Sequence, residues 1–218
     1  TKTHFQTKKL SIIREKNEIC TVGTFKIYIS ITDFFSFNEI ITKDLILNKT
    51  IFNIKKEDIK FFQDLLKTEP NDNKIILKKS DIFFRGKDDE LLFLNKIKNG
   101  KFYYDSFNLK NIFTSKNEIF KVPYKLNISN DKFNKNVYFK FLSKKIRLDI
   151  ENEISYEDLV KEGFIDLLFI NKNISLDYEI KENSLIFSST DKKKLHGYVD
   201  YKPFYLNANL EYDGISTK

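Results

Sequence analysis

Phe120-Lys121-Val122-Pro123-Tyr124-Lys125-Leu126-Asn127-Ile128-Ser129 is the stretch whose reading decides the fold. Phe120, Val122, Tyr124, Leu126 and Ile128 take every second position, and Lys121, Pro123, Lys125, Asn127 and Ser129 fall between them. Successive strand residues point to opposite sides of a sheet, so this spacing predicts a strand over 119–129 with one apolar and one polar face. The pattern recurs from Phe25 to Leu210. A sheet built from such strands has a large apolar face, and what covers that face bears on function.

On the N-terminal side, Phe25, Ile27, Ile29 and Ile31 alternate with Lys26, Tyr28, Ser30 and Thr32, which predicts another strand. Residues 1–20 are polar and irregular, with one short strand at Leu10 to Ile13. Strands are expected at Asp44–Leu47, Ile51–Ile54, Lys74–Lys78, Asp81–Arg85, Leu91–Leu94 and Lys101–Asp105. Asn99-Gly100 reads as a turn, Gly86–Asp89 as a hairpin, and 106–117 as a polar loop. Between Lys56 and Lys67 the period changes: Ile59, Phe62, Leu65 and Leu66 fall at helical spacing. Glu57 and Asp58 open this segment and Lys67 closes it, as the helix dipole favours, and Glu69-Pro70 stops it. The reading is one amphipathic helix at 56–67.

On the C-terminal side, strands are expected at Asn136–Leu142 and Lys145–Glu151. Ser155 and Asp158 resemble a capping box and Gly163 a C-cap, which suggests a short second helix at 156–162. Strands at Phe164–Ile170, Ile174–Ile180, Ser184–Ser188, His196–Tyr201 and Tyr205–Tyr212 then form an antiparallel meander. The fold class is therefore mainly all-β, an elongated antiparallel sheet with one or two short helices, and residues 1–218 read as a single β-rich segment. Met is absent, even at position 1, which suggests a piece of a longer protein.

Composition narrows the function classes. The net charge is +7 and the pI about 9.1, which invites a nucleic-acid partner. All but three of the 38 basic residues are Lys, however, and Ile, Asn and Phe are also abundant, as codon bias alone would produce. The aromatics fall on the apolar faces and the lysines on the opposite ones, whereas a stacking platform needs both on one surface. No nucleic-acid partner is expected. The lone Cys20 cannot form an internal disulfide. His4 and His196 have no zinc-site spacing, and no phosphate loop or nucleophile elbow occurs, so neither cofactor, metal nor catalytic residue is expected. Asp88-Asp89-Glu90 sits in a turn, and Asp149, Glu151 and Glu153 alternate along a strand face where lysines can pair with them.

The segment Thr24–Ile31, the turn Asp33-Phe34-Phe35-Ser36-Phe37 and the run Ile41–Ile54 with its central Asn48 resemble the periplasmic part of AsmA-like proteins of Gram-negative bacteria. The tail Gly197–Tyr212 is similar in style. The resemblance lies in a pattern of strands and contains no catalytic motif. It implies a non-enzymatic periplasmic segment, tethered to the inner membrane by an anchor outside this chain. It also implies a twisted sheet curled into a groove, as in the TamB and YhdP groups, that handles phospholipid between the membranes and serves outer-membrane homeostasis. The implied partners are phospholipid acyl chains.

Alternation and resemblance together give Val122, Leu126, Ile128, Leu176, Tyr178, Ile180, Leu206, Ala208 and Leu210 as candidate groove residues. A closed β-domain serving as a structural or protein-binding scaffold is the alternative, since a sandwich or barrel would show the same alternation.

Overall fold

The computed structural model describes residues 2–14, 17–30, 42–55, 58, 73–86, 88–156, 161–190, 195–201 and 204–210. Fourteen strands form one sheet, in chain order from edge to edge. They are β1 (Lys2–Arg14), β2 (Asn17–Ser30), β3 (Thr42–Ile54), β4 (Lys74–Arg85), β5 (Leu91–Asp105), β6 (Lys110–Ile119) and β7 (Val122–Asp131), followed by β8 (Asn136–Ser143), β9 (Leu148–Ser155), β10 (Lys161–Phe169), β11 (Lys172–Ile180), β12 (Ser184–Ser189), β13 (Leu195–Tyr201) and β14 (Phe204–Leu210). β1 and β14 are the two edges, so the sheet is open. The closed sandwich or barrel held as the alternative is not what this chain forms.

Every neighbouring pair is antiparallel except β3 and β4, which run parallel from Asp44 opposite Lys74 to Ile54 opposite Phe84. A parallel pair needs a crossover of a dozen or more residues, and residues 55–73 supply it. This corrects the expectation of a purely antiparallel sheet. The helix expected at 56–67 lies in this crossover and, apart from Asp58, outside the described residues. Asp58 closes a turn: its N–H donates to the Lys55 carbonyl (3.0 Å) and its carboxylate accepts the Lys55 N–H (2.9 Å). The second helix, at 156–162, is overturned at its end. Lys161 and Glu162 already face Ile180 and Glu179 across a ladder, while 157–160 lie outside the described residues.

Several expected breaks are absent, because single left-handed residues kink these strands without ending them. Lys49 and Lys79 adopt φ of 54° and 48° inside β3 and β4, and Lys9 adopts 56° inside β1. Such a kink shifts the phase of the alternation by one while the ladders keep register, so each of β3 and β4 reads in sequence as two short strands. The kinks are aligned across the sheet. Lys9 lies opposite Gly23, since Lys8 faces Thr24 and Leu10 faces Val22, and Gly23 in turn approaches Lys49. A Cβ at Gly23 would stand 3.0 Å from both Lys49 Cβ and its carbonyl oxygen, a crowding only glycine avoids. The Thr50 N–H donates to Ser80 Oγ (3.3 Å), which ties the kinks of β3 and β4 together.

Asn99-Gly100 is likewise no turn. It lies within β5, beside the register shift between Ile97 and Asn99, with Gly100 buried opposite Leu77. The polar loop expected at 106–117 is mostly β6. The strand expected at 119–129 begins instead at Val122, because Phe120 and Lys121 (φ 49° and 63°) form the two-residue hairpin turn. Ile170 and Asn171 (φ 46° and 67°) make the same turn between β10 and β11. Two-residue turns with both φ positive match the right-handed twist of the flanking strands, but Asn-Gly usually marks them.

Longer tips show a repeat. Asp105-Ser106-Phe107-Asn108-Leu109 and Asp131-Lys132-Phe133-Asn134-Lys135 share the pattern Asp-x-Phe-Asn-x. In each, the aspartate accepts the Asn backbone N–H (3.2 and 2.9 Å) and the Asn side-chain amide (2.8 and 2.9 Å). The fifth residue of each is left-handed, and the phenylalanines stand in solvent, 92% and 80% exposed.

Candidate functional site

Residues directly opposite one another across a ladder share a face of the sheet. Ile128 faces Phe139, Phe139 faces Asn152, Asn152 faces Ile165 and Ile165 faces Leu176. Tyr178 faces Phe187, Phe187 faces Gly197 and Gly197 faces Ala208. With period two along β7, β11 and β14, the register brings all nine candidate residues to one face. Val122, Leu126, Ile128, Leu176, Tyr178 and Ile180 are half-buried there. Leu206, Ala208 and Leu210 are exposed, Leu206 at 55% and Leu210 at 63%. Phe139, Ile150, Ile165 and Leu167 lie on the same face between them and were not singled out, although each follows the same alternation in its own strand.

Among the described residues this apolar face has little cover. Among the described residues only Ile19, Cys20, Val22, Ile29, Ile97 and Phe102 are fully buried hydrophobics. Ile19, Cys20 and Val22 form a small cluster with Phe25, Leu47 and Phe52 packed against it, at the N-terminal end of the sheet. The chain exposes 15579 Å², about half again the roughly 10,500 Å² of a compact monomer of its mass. A single layer of sheet explains the excess.

Polar groups interrupt the face in an ordered way. The Tyr124 hydroxyl donates to Asn95 Oδ1 (2.9 Å), the Tyr156 hydroxyl to Asn130 Oδ1 (3.0 Å), and Asn152 Nδ2 donates to the Tyr178 hydroxyl (2.7 Å). Each pair reaches from one strand to the second strand beyond it: β7 to β5, the end of β9 to β7, and β11 to β9. The tyrosines therefore lie across the sheet as straps instead of standing up from it. A Cβ at Gly163 would stand 2.3 Å from Tyr178 Cζ, so the glycine makes room for the ring. Tyr124 also stacks on Phe141, with centroids 4.6 Å apart. Burial raises the Tyr124 and Tyr156 hydroxyls above the usual tyrosine pKa, which keeps both as neutral donors. Sequence reading missed these straps. Their one signal is a Tyr following an Asn at separations of 29, 26 and 26 residues.

The opposite face is polar and divided by charge. On β9 to β11 it carries Asp149, Glu151, Glu153, Glu162, Asp166, Asp177 and Glu179. Lys140 of β8 pairs with Glu151, which also accepts the Tyr138 hydroxyl (2.8 Å), and Lys140 stands 3.9 Å from Asp149. The expectation that lysine would pair with this acidic strand thus holds at Glu151 and Asp149. Glu153 instead accepts the Asn136 amide. In the other acidic cluster, Asp89 pairs with Lys55 (3.0 Å) and Glu90 accepts the Asp88 N–H (3.0 Å). Glu151, Glu153, Asp89 and Glu90 are thus engaged by neighbouring groups. No group of three or more His, Cys, Asp or Glu among the described residues could hold a metal ion. No helix among them is long and apolar enough to cross a membrane.

No protein-family model matches the chain, and no curated protein matches it. The apolar face is therefore read from its own geometry.

Proposed function

We propose that this chain is a non-enzymatic segment of a periplasmic AsmA-like envelope protein, tethered through a part outside it. In this reading the open sheet curls into an elongated groove whose apolar face holds phospholipid acyl chains. It thereby contributes to lipid movement between membranes and to outer-membrane homeostasis. The observation that carries the proposal is the convergence of all nine candidate residues on one sparsely covered face. Such a face is an unfavourable surface in water and a favourable one for hydrocarbon, at roughly 0.8 kcal/mol for each methylene it shields. The tyrosine straps suit this role, because they satisfy buried amides without blocking the face with side chains that stand upright.

The test is mass spectrometry of lipid extracted from the purified chain. Co-purified phospholipid is expected, and its loss is expected in Leu176→Asp and Ala208→Asp variants that keep the strand circular-dichroism spectrum of the parent. A wild-type chain that emerges free of lipid counts against the groove and favours a scaffold.

A further inference from the structure

Three successive hairpin tips lie on one rim of the sheet: Phe120-Lys121 between β6 and β7, Lys144–Arg147 between β8 and β9, and Ile170-Asn171 between β10 and β11. Strand spacing places neighbouring tips roughly 10 Å apart. They are joined to one another. Lys145 Nζ donates to the Lys121 carbonyl (2.9 Å), and the Ile170 N–H donates to the Arg147 carbonyl (3.1 Å). Each tip presents an apolar residue to solvent, namely Phe120 (78% exposed), Ile146 and Ile170. Each is flanked by cations: Lys121, Lys144, Lys145, Arg147 and Lys172. No acidic residue occurs in 119–125, 142–148 or 168–174. None of the five cations forms an ion pair among the described residues.

Behind the first two tips is a mainly apolar notch of about 250 Å³, whose lining includes Pro123, Tyr124 and Leu142 beside Lys116, Lys125 and Lys144. Lys116 and Lys125 face each other directly across the β6–β7 ladder, a like-charge pairing that is unfavourable until an anion neutralises it. Glu118, opposite Pro123 on the same ladder, pairs with Lys98 at 2.9 Å and also meets the charge of Lys145. Two other described turns on this rim carry carboxylates, Asp58 on the Lys55 N–H and Asp89 on the Lys55 ammonium, and they mark the border of the patch. The opposite rim also exposes phenylalanines, but its tips carry Asp105 and Asp131.

We infer that this rim is a docking surface for an anionic phospholipid bilayer. The three apolar tips enter the interface and the flanking cations sit among the head groups. Apolar tips together with cations are the two components of interfacial binding. A polynucleotide would use the cations but would leave the apolar tips in water. The inference concerns the rim and not the apolar face, so it stands or falls separately from the acyl groove.

The chain has no tryptophan, so Phe120→Trp and Phe107→Trp each install a single reporter, one on each rim. With vesicles of phosphatidylcholine and phosphatidylglycerol in equal parts, the Phe120→Trp emission is expected to shift to the blue and Phe107→Trp to stay unchanged. Neither should respond to phosphatidylcholine alone. Co-sedimentation of the wild-type chain should weaken with salt and fall about fivefold for each cation neutralised in Lys144→Gln and Arg147→Gln. Phe107→Ser with Phe133→Ser should leave it unchanged. Three results would overturn the inference: no binding of the folded wild-type chain to the anionic vesicles, a blue shift from Phe107→Trp in place of Phe120→Trp, or retention on single-stranded DNA as tight as on the vesicles. Loss of vesicle binding with co-purified lipid retained would remove the docking rim and leave the groove intact.

Discussion

Lys110 Nζ and Asp131 Oδ2 lie 3.0 Å apart and join two hairpin tips that carry the same Asp-x-Phe-Asn-x sequence. Lys110 follows the first tip, and Asp131 opens the second. Asp131 is therefore shared: it holds its own turn through Asn134 and anchors the neighbouring hairpin through Lys110. Tyr156 completes the junction, with its N–H donating to the Lys135 carbonyl (2.9 Å).

The Asn134 N–H, with Lys110 and the Asn134 amide adding to it, holds the Asp131 carboxyl down to about 2 from an ordinary 3.8. A depressed folded-state pKa contributes stability that is complete above the unfolded value and is lost as pH falls toward the folded one. The wild-type chain should therefore lose stability as pH falls from about 4 toward 2, and Asp131→Asn should lose less over that interval. At neutral pH Asp131→Asn should cost about 1–2 kcal/mol, from charge-assisted hydrogen bonds weakened to neutral ones. Urea denaturation of both proteins at neutral and acid pH checks this. Equal acid sensitivity in the two would refute the role given to Asp131.

Gly163 and Tyr178 should be thermodynamically coupled. Adding the Cβ in Gly163→Ala forces the Tyr178 ring off Asn152, at an expected cost of about 1–3 kcal/mol. In a Tyr178→Ala background the same change should cost much less, because nothing is left to displace. A double-mutant cycle by chemical denaturation measures the difference, and a coupling energy near zero would show that the ring does not lie over the glycine.

Tyr124→Phe should destabilise by about 1–2 kcal/mol although it removes a single oxygen. The buried Asn95 carbonyl oxygen then loses its donor while the ring stack on Phe141 persists. Tyr124→Phe combined with Asn95→Ala should cost less than the sum of the two single changes. Strict additivity would mean that the hydroxyl and the amide do not interact.

Cys20 is buried in the Ile19–Val22 cluster, and burial first, then the nearby Glu18 carboxylate, pushes its thiol up to about 11. It should stay a neutral thiol through the physiological range and react with a thiol-specific reagent at least tenfold more slowly in the folded chain than in urea. The labelling rate should then follow unfolding of the β1–β3 end of the sheet. Fast labelling under native conditions would contradict this burial.

Alternation alone specified an all-β chain with one apolar face, because the period of two is a local property of each strand. It also gave the antiparallel meander from β10 to β14 and the common face of residues such as Leu126, Leu176 and Leu206. Where neighbouring segments break the rule by one residue, tertiary structure decided. Lys49 and Lys79 shift the phase inside continuous strands because the aligned Gly23 leaves room for the kink, so each strand looks like two when read alone. Phe120-Lys121 and Ile170-Asn171 turn without Asn-Gly because the flanking ladders fix the geometry that the residues themselves do not favour. The parallel β3–β4 pair, the tyrosine straps and the basic rim depend on which strands become neighbours. That is set by register, a long-range property to which no single stretch of sequence commits.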